Sequence, residues 1–354
     1  MPVNTSRTTY REHTDTENIL KLRQVLSTLP AFCKDYFRAI DSTTTTKTRI
    51  SYAYDIRIFF QFLLDENPVF KNYAMTDFSV DVLDQIKAID LEEYMEYLKV
   101  YQNGDKTETN GERGLKRKIS ALRSFYAYYY KREMIHSNPT VLIDVPKIHD
   151  KSIIRLDTDE VALLLDYIEH CGDSLTGQKR VYHEKTKERD LAIVTLLLGT
   201  GIRVSECVGL DIEDVDFKNN GIKVTRKGGN EMVVYFGEEV EKALKRYLEV
   251  RAGITPLAGH EHALFYSAQR KRMGVQAVEN MVKKYSRQIT TTKKITPHKL
   301  RSTYGTALYQ ETGDIYLVAD VLGHKDVNTT KKHYAALDDA RRRQAATAVR
   351  LRED

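Results

Sequence analysis

The stretch ERDLAIVTLLL at residues 188–198 constrains the fold more than any other part of the chain. After its first turn nearly every position is apolar, so as a helix it has no face to offer to water. It must lie at the centre of a domain, wrapped by other elements. It is too short to cross a bilayer, and no apolar run elsewhere reaches the length needed. The surrounding sequence supplies a shell. Helical spacing of apolar residues recurs over 238–250, 275–288, 298–311 and 315–322, and a further helix reads from a cap at Thr158 through Leu165. Ile222 and Val224 alternate with polar residues, Lys227-Gly228-Gly229-Asn230 supplies turn formers, and Val233, Val234, Tyr235 and Phe236 resume an extended run. That pattern reads as a β-hairpin with a Gly-rich tip. The expected domain is mostly helical with one small antiparallel sheet. The polar stretch 170–187 is expected to be a loop.

A chain of 354 residues has room for a second domain ahead of this one. From residue 19 to about 142 the pattern is all-helical. Ser42-Thr43-Thr44 is placed to cap a helix over 43–64, which carries Ile56, Phe59, Phe60, Leu63 and Leu64 on one face and ends at Asn67-Pro68. Residues 115–135 set Leu115, Ile119, Leu122, Tyr126 and Tyr129 in a second stripe, with Lys116 and Arg123 turned away, and Asn138-Pro139 closes the segment. The organisation expected is a flexible polar N-terminus (1–18), a helical domain (19–143), an extended linker (144–157), the second domain (158–340) and a C-terminal tail (341–354).

Composition narrows the class. Hydrophobic residues make up 41% and charged residues 30%, as in soluble globular proteins. The opening MPVNTSRTTYREHTD has no apolar signal core. Cys33, Cys171 and Cys207 are scattered, odd in number and without a CxxC pair, which argues against a disulfide framework or a structural zinc and for a reducing cytoplasm. The net charge of +5 permits nucleic-acid binding without demanding it. Basic clusters stand at 116–118, 270–272, 293–294 and 341–343.

Three local patterns carry chemistry. Gly199-Thr200-Gly201 lets the chain turn sharply after the apolar helix, and Arg203 then opens a new helix, where it can grip an anion or pair with Glu206. His298 and Arg301 stand three apart, so both project from one helix face that begins at Pro297. Together they suit a phosphate: the guanidinium forks onto two oxygens, and the imidazole donates or moves a proton. Gly323 can end one helix before His324, and Asn328 or Thr329 can cap the next, which carries Tyr334. Each pattern alone is ordinary surface or packing chemistry.

The ordered set Arg203, Lys227, His298-xx-Arg301, His324, Tyr334 resembles the tyrosine recombinase family, the phage-integrase and Xer group. The resemblance spans nearly the whole chain and is strongest over 188–335. KERDLAIVTLLLGTGIRVSE and VTRKGGNE look like the chromosome-dimer resolvases of Gram-positive bacteria, and ISALRSFYAYYYKREMIHSNP like the last helices of the family's core-binding domain. The resemblance implies a mainly α protein of two domains, an N-terminal all-α, SAM-like core-binding bundle and an α+β catalytic domain, that clamp DNA between them. It implies that Arg203 and Arg301 hold the non-bridging phosphate oxygens and that His298 and His324 donate hydrogen bonds or assist proton transfer. Lys227 would protonate the departing 5′-hydroxyl, and Tyr334 would be the nucleophile of a 3′-phosphotyrosine intermediate. Neither a cofactor nor a metal is required, because arginines supply the charge.

The chain departs from the family pattern in three places. Ser302 stands where His often follows the second arginine, the tip reads Lys-Gly-Gly-Asn instead of Lys-Gly-Asn with Arg226 competing for the role of Lys227, and the interval from His324 to Tyr334 is one residue longer than in many relatives. Thr43, Thr44, Lys47, Arg49, Lys116, Lys118 and Arg123 are candidate DNA contacts. The resemblance also implies a homotetramer on two duplexes, with residues 341–354 as an inter-subunit helix, an accessory protein or DNA translocase as a further partner, and a nucleoid-associated cytoplasmic location. The alternatives are an integrase or excisionase of a mobile element, a type IB topoisomerase, a recombinase-derived binding protein without activity, and a metal-dependent nuclease. The nuclease predicts inhibition by EDTA and no protein–DNA bond, and a covalent adduct lost in Tyr334→Phe separates the enzyme from the binding protein.

Overall fold

The structure, a computed structural model, describes residues 9–149, 153–226, 229–324, 326–328 and 330–331. The chain divides into two compact units, residues 1–150 and 151–354.

The first unit contains helices α1 (Tyr10–Leu26), α2 (Cys33–Ala39), α3 (Thr46–Glu66), α4 (Val82–Gln85), α5 (Ala88–Tyr97) and α6 (Glu112–Tyr130). A hairpin of β1 (Val100–Asn103) and β2 (Lys106–Thr109) intervenes between α5 and α6. α3 packs on α1, α5 and α6. The expected stripes face inward: Ile56, Phe59, Phe60 and Leu63 on α3, and Leu115, Ile119, Leu122, Tyr126 and Tyr129 on α6, are all buried. The core is aromatic-rich, with edge-to-face pairs such as Phe59–Tyr94 (5.3 Å) and Phe125–Tyr129 (5.0 Å), a geometry set by the ring quadrupole.

Three expectations for this unit are corrected. Residues 10–18, read as part of a flexible terminus, are helical, because Thr9 and Glu12 form a capping box at the start of α1. The cap of α3 is Thr45, whose hydroxyl accepts the Thr48 N–H, and not the residues at 42–44. The all-helical reading missed β1–β2, whose register pairs Asn103 with Lys106 across a tip at Gly104 (φ +60°) and Asp105.

The second unit is organised around α8 (Gly177–Thr200), which follows α7 (Thr158–His170) and precedes α9 (Val204–Gly209). Then come β3 (Val215–Asp216), β4 (Gly221–Thr225) and β5 (Glu231–Tyr235), an antiparallel sheet in the order β3-β4-β5. Helices α10 (Glu238–Ala252), α11 (Val275–Ile289), α12 (Pro297–Thr312) and α13 (Ile315–Leu322) complete the unit. α8 packs against α7, α10 and α12, and every residue from Arg189 to Leu197 is buried, as a helix apolar on all sides requires. α7 is capped by Asp157 through a capping box with Glu160, one residue before the expected Thr158. The stretch 170–187 is not a loop beyond residue 176. It forms the first part of α8, because the inward face there is written in polar residues, His183 and Thr186, which apolar periodicity does not register.

Candidate active site

The C-terminus of α8 sets the first arginine. Gly201 takes a left-handed φ of +63°, and a β-carbon there would lie 2.4 Å from the Tyr304 ring, so only glycine fits both the turn and the close approach to α12. The turn sends Ile202 into the core and leaves Arg203 as the N-cap residue of α9. Glu206, almost wholly buried, accepts both the Arg203 backbone N–H (2.8 Å) and its Nη1 (2.8 Å). The i,i+3 pair is thus formed, yet the Arg203 side chain remains about a third exposed (36%) and its Nη2 reaches the Gly323 carbonyl at 3.4 Å.

The second arginine comes from α12, whose first turn begins with Pro297. His298 is exposed, whereas Arg301, one turn later, is only 4% exposed. Arg301 Nη1 donates to the Gly201 carbonyl (2.5 Å) and Nη2 to the Leu322 carbonyl. α13 ends on Gly323 in the left-handed region (φ +62°), and the His324 N–H then donates to the Ala319 carbonyl (2.9 Å), which fixes the backbone of His324. Its Nδ1 lies 2.6 Å from Thr330 Oγ1. A third guanidinium arrives from the end of β4: Arg226 Nη2 donates to the Val321 carbonyl (2.6 Å).

Three consecutive carbonyls at the negative end of α13, those of Val321, Leu322 and Gly323, therefore each accept from a different arginine. The buried Glu206 carboxylate adds negative charge. Burial holds the Arg226 guanidinium below the usual arginine range, Glu206 opposes that shift, and the like charge of Arg203 adds to it. Within the cluster the Arg203 and Arg301 guanidiniums are aligned in advance, the arrangement that stabilises an oxyanion best.

Of the sequence-predicted residues, Arg203, Arg301 and His324 are brought to one turn, and His298 shares a helix face with Arg301. Lys227, Tyr334 and the tail 341–354 lie outside the described residues. The sequence reading considered Arg226 only as a rival to Lys227 and missed its contact with α13, which no local pattern encodes. Asn328 donates its N–H to the Asp326 carboxylate (2.9 Å), so Asp326 takes the capping role expected of Asn328 or Thr329, the latter also outside the described residues.

The candidate DNA contacts divide. Thr43, Lys47 and Lys116 are exposed. Thr44 bonds back to the Ile40 carbonyl (2.6 Å), and Arg49 is mostly buried against Asp41. Arg123 donates to the carbonyls of Thr140 (3.0 Å) and Ile143 (2.8 Å), anchoring the segment after α6. Lys118 as a surface contact is corrected: it is buried, 3.4 Å from the equally buried Asp55, which Arg117 also grips with both terminal nitrogens. Among the described residues no group of three His, Cys, Asp or Glu side chains could hold a metal ion, and no helix is long and apolar enough to cross a membrane.

Comparison with known proteins adds an independent line. Residues 155–341 match the model of the phage integrase family. Tyrosine recombinase XerC of Caldanaerobacter subterraneus subsp. tengcongensis is 31% identical over 331 residues, covering 90% of this chain and 86% of that protein. Tyrosine recombinase XerS of Streptococcus uberis is 29% identical over 345 residues, covering 90% and 95%. Among solved structures, XerH bound to a palindromic difH substrate in a post-cleavage complex superposes with a TM-score of 0.63 at 19% identity, covering 97% of this chain and 90% of that one. The integrase of transposon Tn1549 with circular intermediate DNA superposes with a TM-score of 0.63 at 21% identity, covering 89% and 98%. At those identities the structures establish a shared fold.

Proposed function

Because the chain belongs to the phage integrase family and is a Xer-like tyrosine recombinase, we propose that it breaks and rejoins DNA at a specific site through a bond between Tyr334 and a 3′-phosphate. The supporting observation is the convergence of Arg203 and Arg301 on the turn that carries His324. A phosphodiester under attack gathers negative charge on its non-bridging oxygens. Two guanidiniums already held in place, Arg301 buried and Arg203 partly so, stabilise that charge with little reorganisation.

In this reading the Tyr334 oxygen attacks phosphorus as His298 takes the phenol proton, since a phenol with an unperturbed pKa of about 10 is mostly protonated at neutral pH. The bond from phosphorus to the 5′-oxygen breaks, and Lys227 gives that oxygen a proton. His324 donates a hydrogen bond to the phosphoryl group. The phosphotyrosine link conserves the bond energy, so a 5′-hydroxyl from another strand reverses the step without ATP. We assign the exposed Lys47 and Lys116 to phosphate contacts in the helical unit, with Thr43 beside them. Such contacts set register more than sequence choice, and affinity falls steeply with salt. The domain division at 19–143 and 158–340, a homotetramer on two duplexes closed through the tail 341–354, association with the nucleoid and resolution of chromosome dimers belong to the same proposal.

The test is a nicked suicide substrate carrying the cognate site. The wild-type protein should trap a covalent adduct in the presence of EDTA, Tyr334→Phe should trap none, and Arg301→Ala should form it on the order of 100- to 1,000-fold more slowly. An adduct that persists in Tyr334→Phe, or that needs a divalent metal, overturns the assignment.

A further inference from the structure

Arg226 has no part in the mechanism above, and its surroundings are unusual for an arginine. Its backbone is fixed at the base of the hairpin tip, where its N–H donates to the Asn230 carbonyl (2.7 Å) and its own carbonyl accepts from Gly229 (3.0 Å). The side chain crosses from β4 to the end of α13 and spends one nitrogen there, Nη2 on the Val321 carbonyl. The other two, Nε and Nη1, are sealed from solvent and have no acceptor among the described residues. Arg203 adds a like charge, which Glu206 and Asp320 offset. A guanidinium desolvated for a single hydrogen bond is costly, and a solvent-facing rotamer would relieve that cost.

Two features hold the side chain in this place. The carbonyl it meets lies at the negative end of a helix. The space it fills exists because residue 323 has no side chain: a β-carbon on Gly323 would stand 1.2 Å from Arg226 Nη1 and 2.3 Å from its guanidinium carbon. Gly323 therefore does two things, taking the left-handed φ that ends α13 and admitting the arginine.

We propose that Arg226 is a positioning residue of the recombination reaction: it docks the base of the β4–β5 hairpin on the turn 321–324 and so fixes His324, and Gly323 is kept free of a side chain to receive it. The proposal rests on the reading of His324 as part of the active site. Arg203 and Arg301 hold the neighbouring carbonyls of Gly323 and Leu322 from α9 and α12. Arg226 adds the sheet to that anchorage.

The test is the single-turnover rate of adduct formation on the suicide substrate, with DNA affinity measured by mobility shift and folding by thermal melting. Arg226→Ala is expected to slow the adduct step on the order of 10- to 100-fold at saturating DNA, because small misplacement of a catalytic group has that effect, while DNA affinity stays within about twofold. Arg226→Lys should recover most of the rate, since an ammonium can still reach the Val321 carbonyl. Gly323→Ala should slow the step as well, by evicting the guanidinium, and Arg226→Ala combined with Gly323→Ala should be no slower than Gly323→Ala alone. A wild-type rate in Arg226→Ala, a Lys variant as slow as the Ala variant, or losses that multiply in the double variant would each overturn the proposal. Should Arg226→Ala fail to fold, the comparison of Arg226→Lys with Gly323→Ala carries the same decision. A wild-type protein that forms no adduct overturns the recombinase assignment itself, whereas a normal adduct with an unaffected Arg226→Ala overturns only the positioning role.

Discussion

Replacing Asp55 with alanine should strongly destabilise the first unit, and the structure sets the size of the effect. Asp55 is 3% exposed and Lys118 6%, whereas the Arg117 side chain is about half exposed. Burial pushes the Asp55 carboxyl up, and the guanidinium and ammonium beside it pull it down. Without the carboxylate Arg117 can turn to water, but Lys118 is left as a buried ammonium with its counter-charge gone. Breaking a buried pair from one side costs about 3–5 kcal/mol. At roughly 2–4 °C per kcal/mol for a unit of this size, the melting temperature should fall by about 6–20 °C. Calorimetry on the full chain would read this as the transition of the first unit moving away from that of the second. Adding Lys118→Met to Asp55→Ala should restore most of the loss, because an apolar chain of similar length can occupy the site. If Asp55→Ala melts within 1–2 °C of wild type, or the double variant is no better than the single, the buried pair is not what holds α3 to α6. The same logic separates structure from DNA binding: Lys118→Ala should lower stability and leave the salt dependence of DNA affinity unchanged, while Lys116→Ala should reduce the salt slope by about one phosphate contact.

Gly201→Ala should destabilise the second unit by roughly 2–5 kcal/mol, the sum of a left-handed φ for alanine and a clash with Tyr304 and Leu322, read by urea unfolding. His183 tests pH. It is buried beside Cys171 (3.6 Å), and burial, with Lys284 nearby, holds its pKa below the usual histidine range. The unfolded chain therefore takes up the proton more readily, so the contribution of neutral His183 is present above about pH 6.5 and is lost as pH falls through the depressed folded value. Unfolding free energies should drop between pH 7 and 5, and His183→Gln should flatten that slope; an unchanged slope would refute the assignment.

What the sequence disclosed depended on the range of the signal. α8 announces itself because burial on all sides leaves only apolar residues from 191 to 194 and from 196 to 198. α10 to α13 and the β4–β5 hairpin are equally local, each a period bounded by its own turn formers. The hairpin β1–β2 also carries a local signal, Gly104-Asp105, but its strands are mostly exposed and polar and so give no apolar alternation against the helical periodicity on either side. The start of α1 was similarly visible in Thr9-xx-Glu12. Other features have no local signature. Lys118 reads as one of three surface cations until the fold brings Asp55, far away in sequence, against it. Arg203 and Arg301 could be picked out as phosphate ligands because their neighbours resemble a known pattern. Arg226 could not, since its role depends on a contact 95 residues away.

The turn at Val321–Gly323 has a consequence for how the sequence can vary. Its three carbonyls are engaged by arginines from three remote segments, and each residue of helix advances direction by about 100°. Inserting or deleting a single residue between Ile315 and Leu322 would rotate all three acceptors out of reach together, however well the longer or shorter helix itself packed. The reading frame of this short helix is therefore locked, while the tip at Gly104, where a β-carbon would meet nothing within 4 Å, is free to grow.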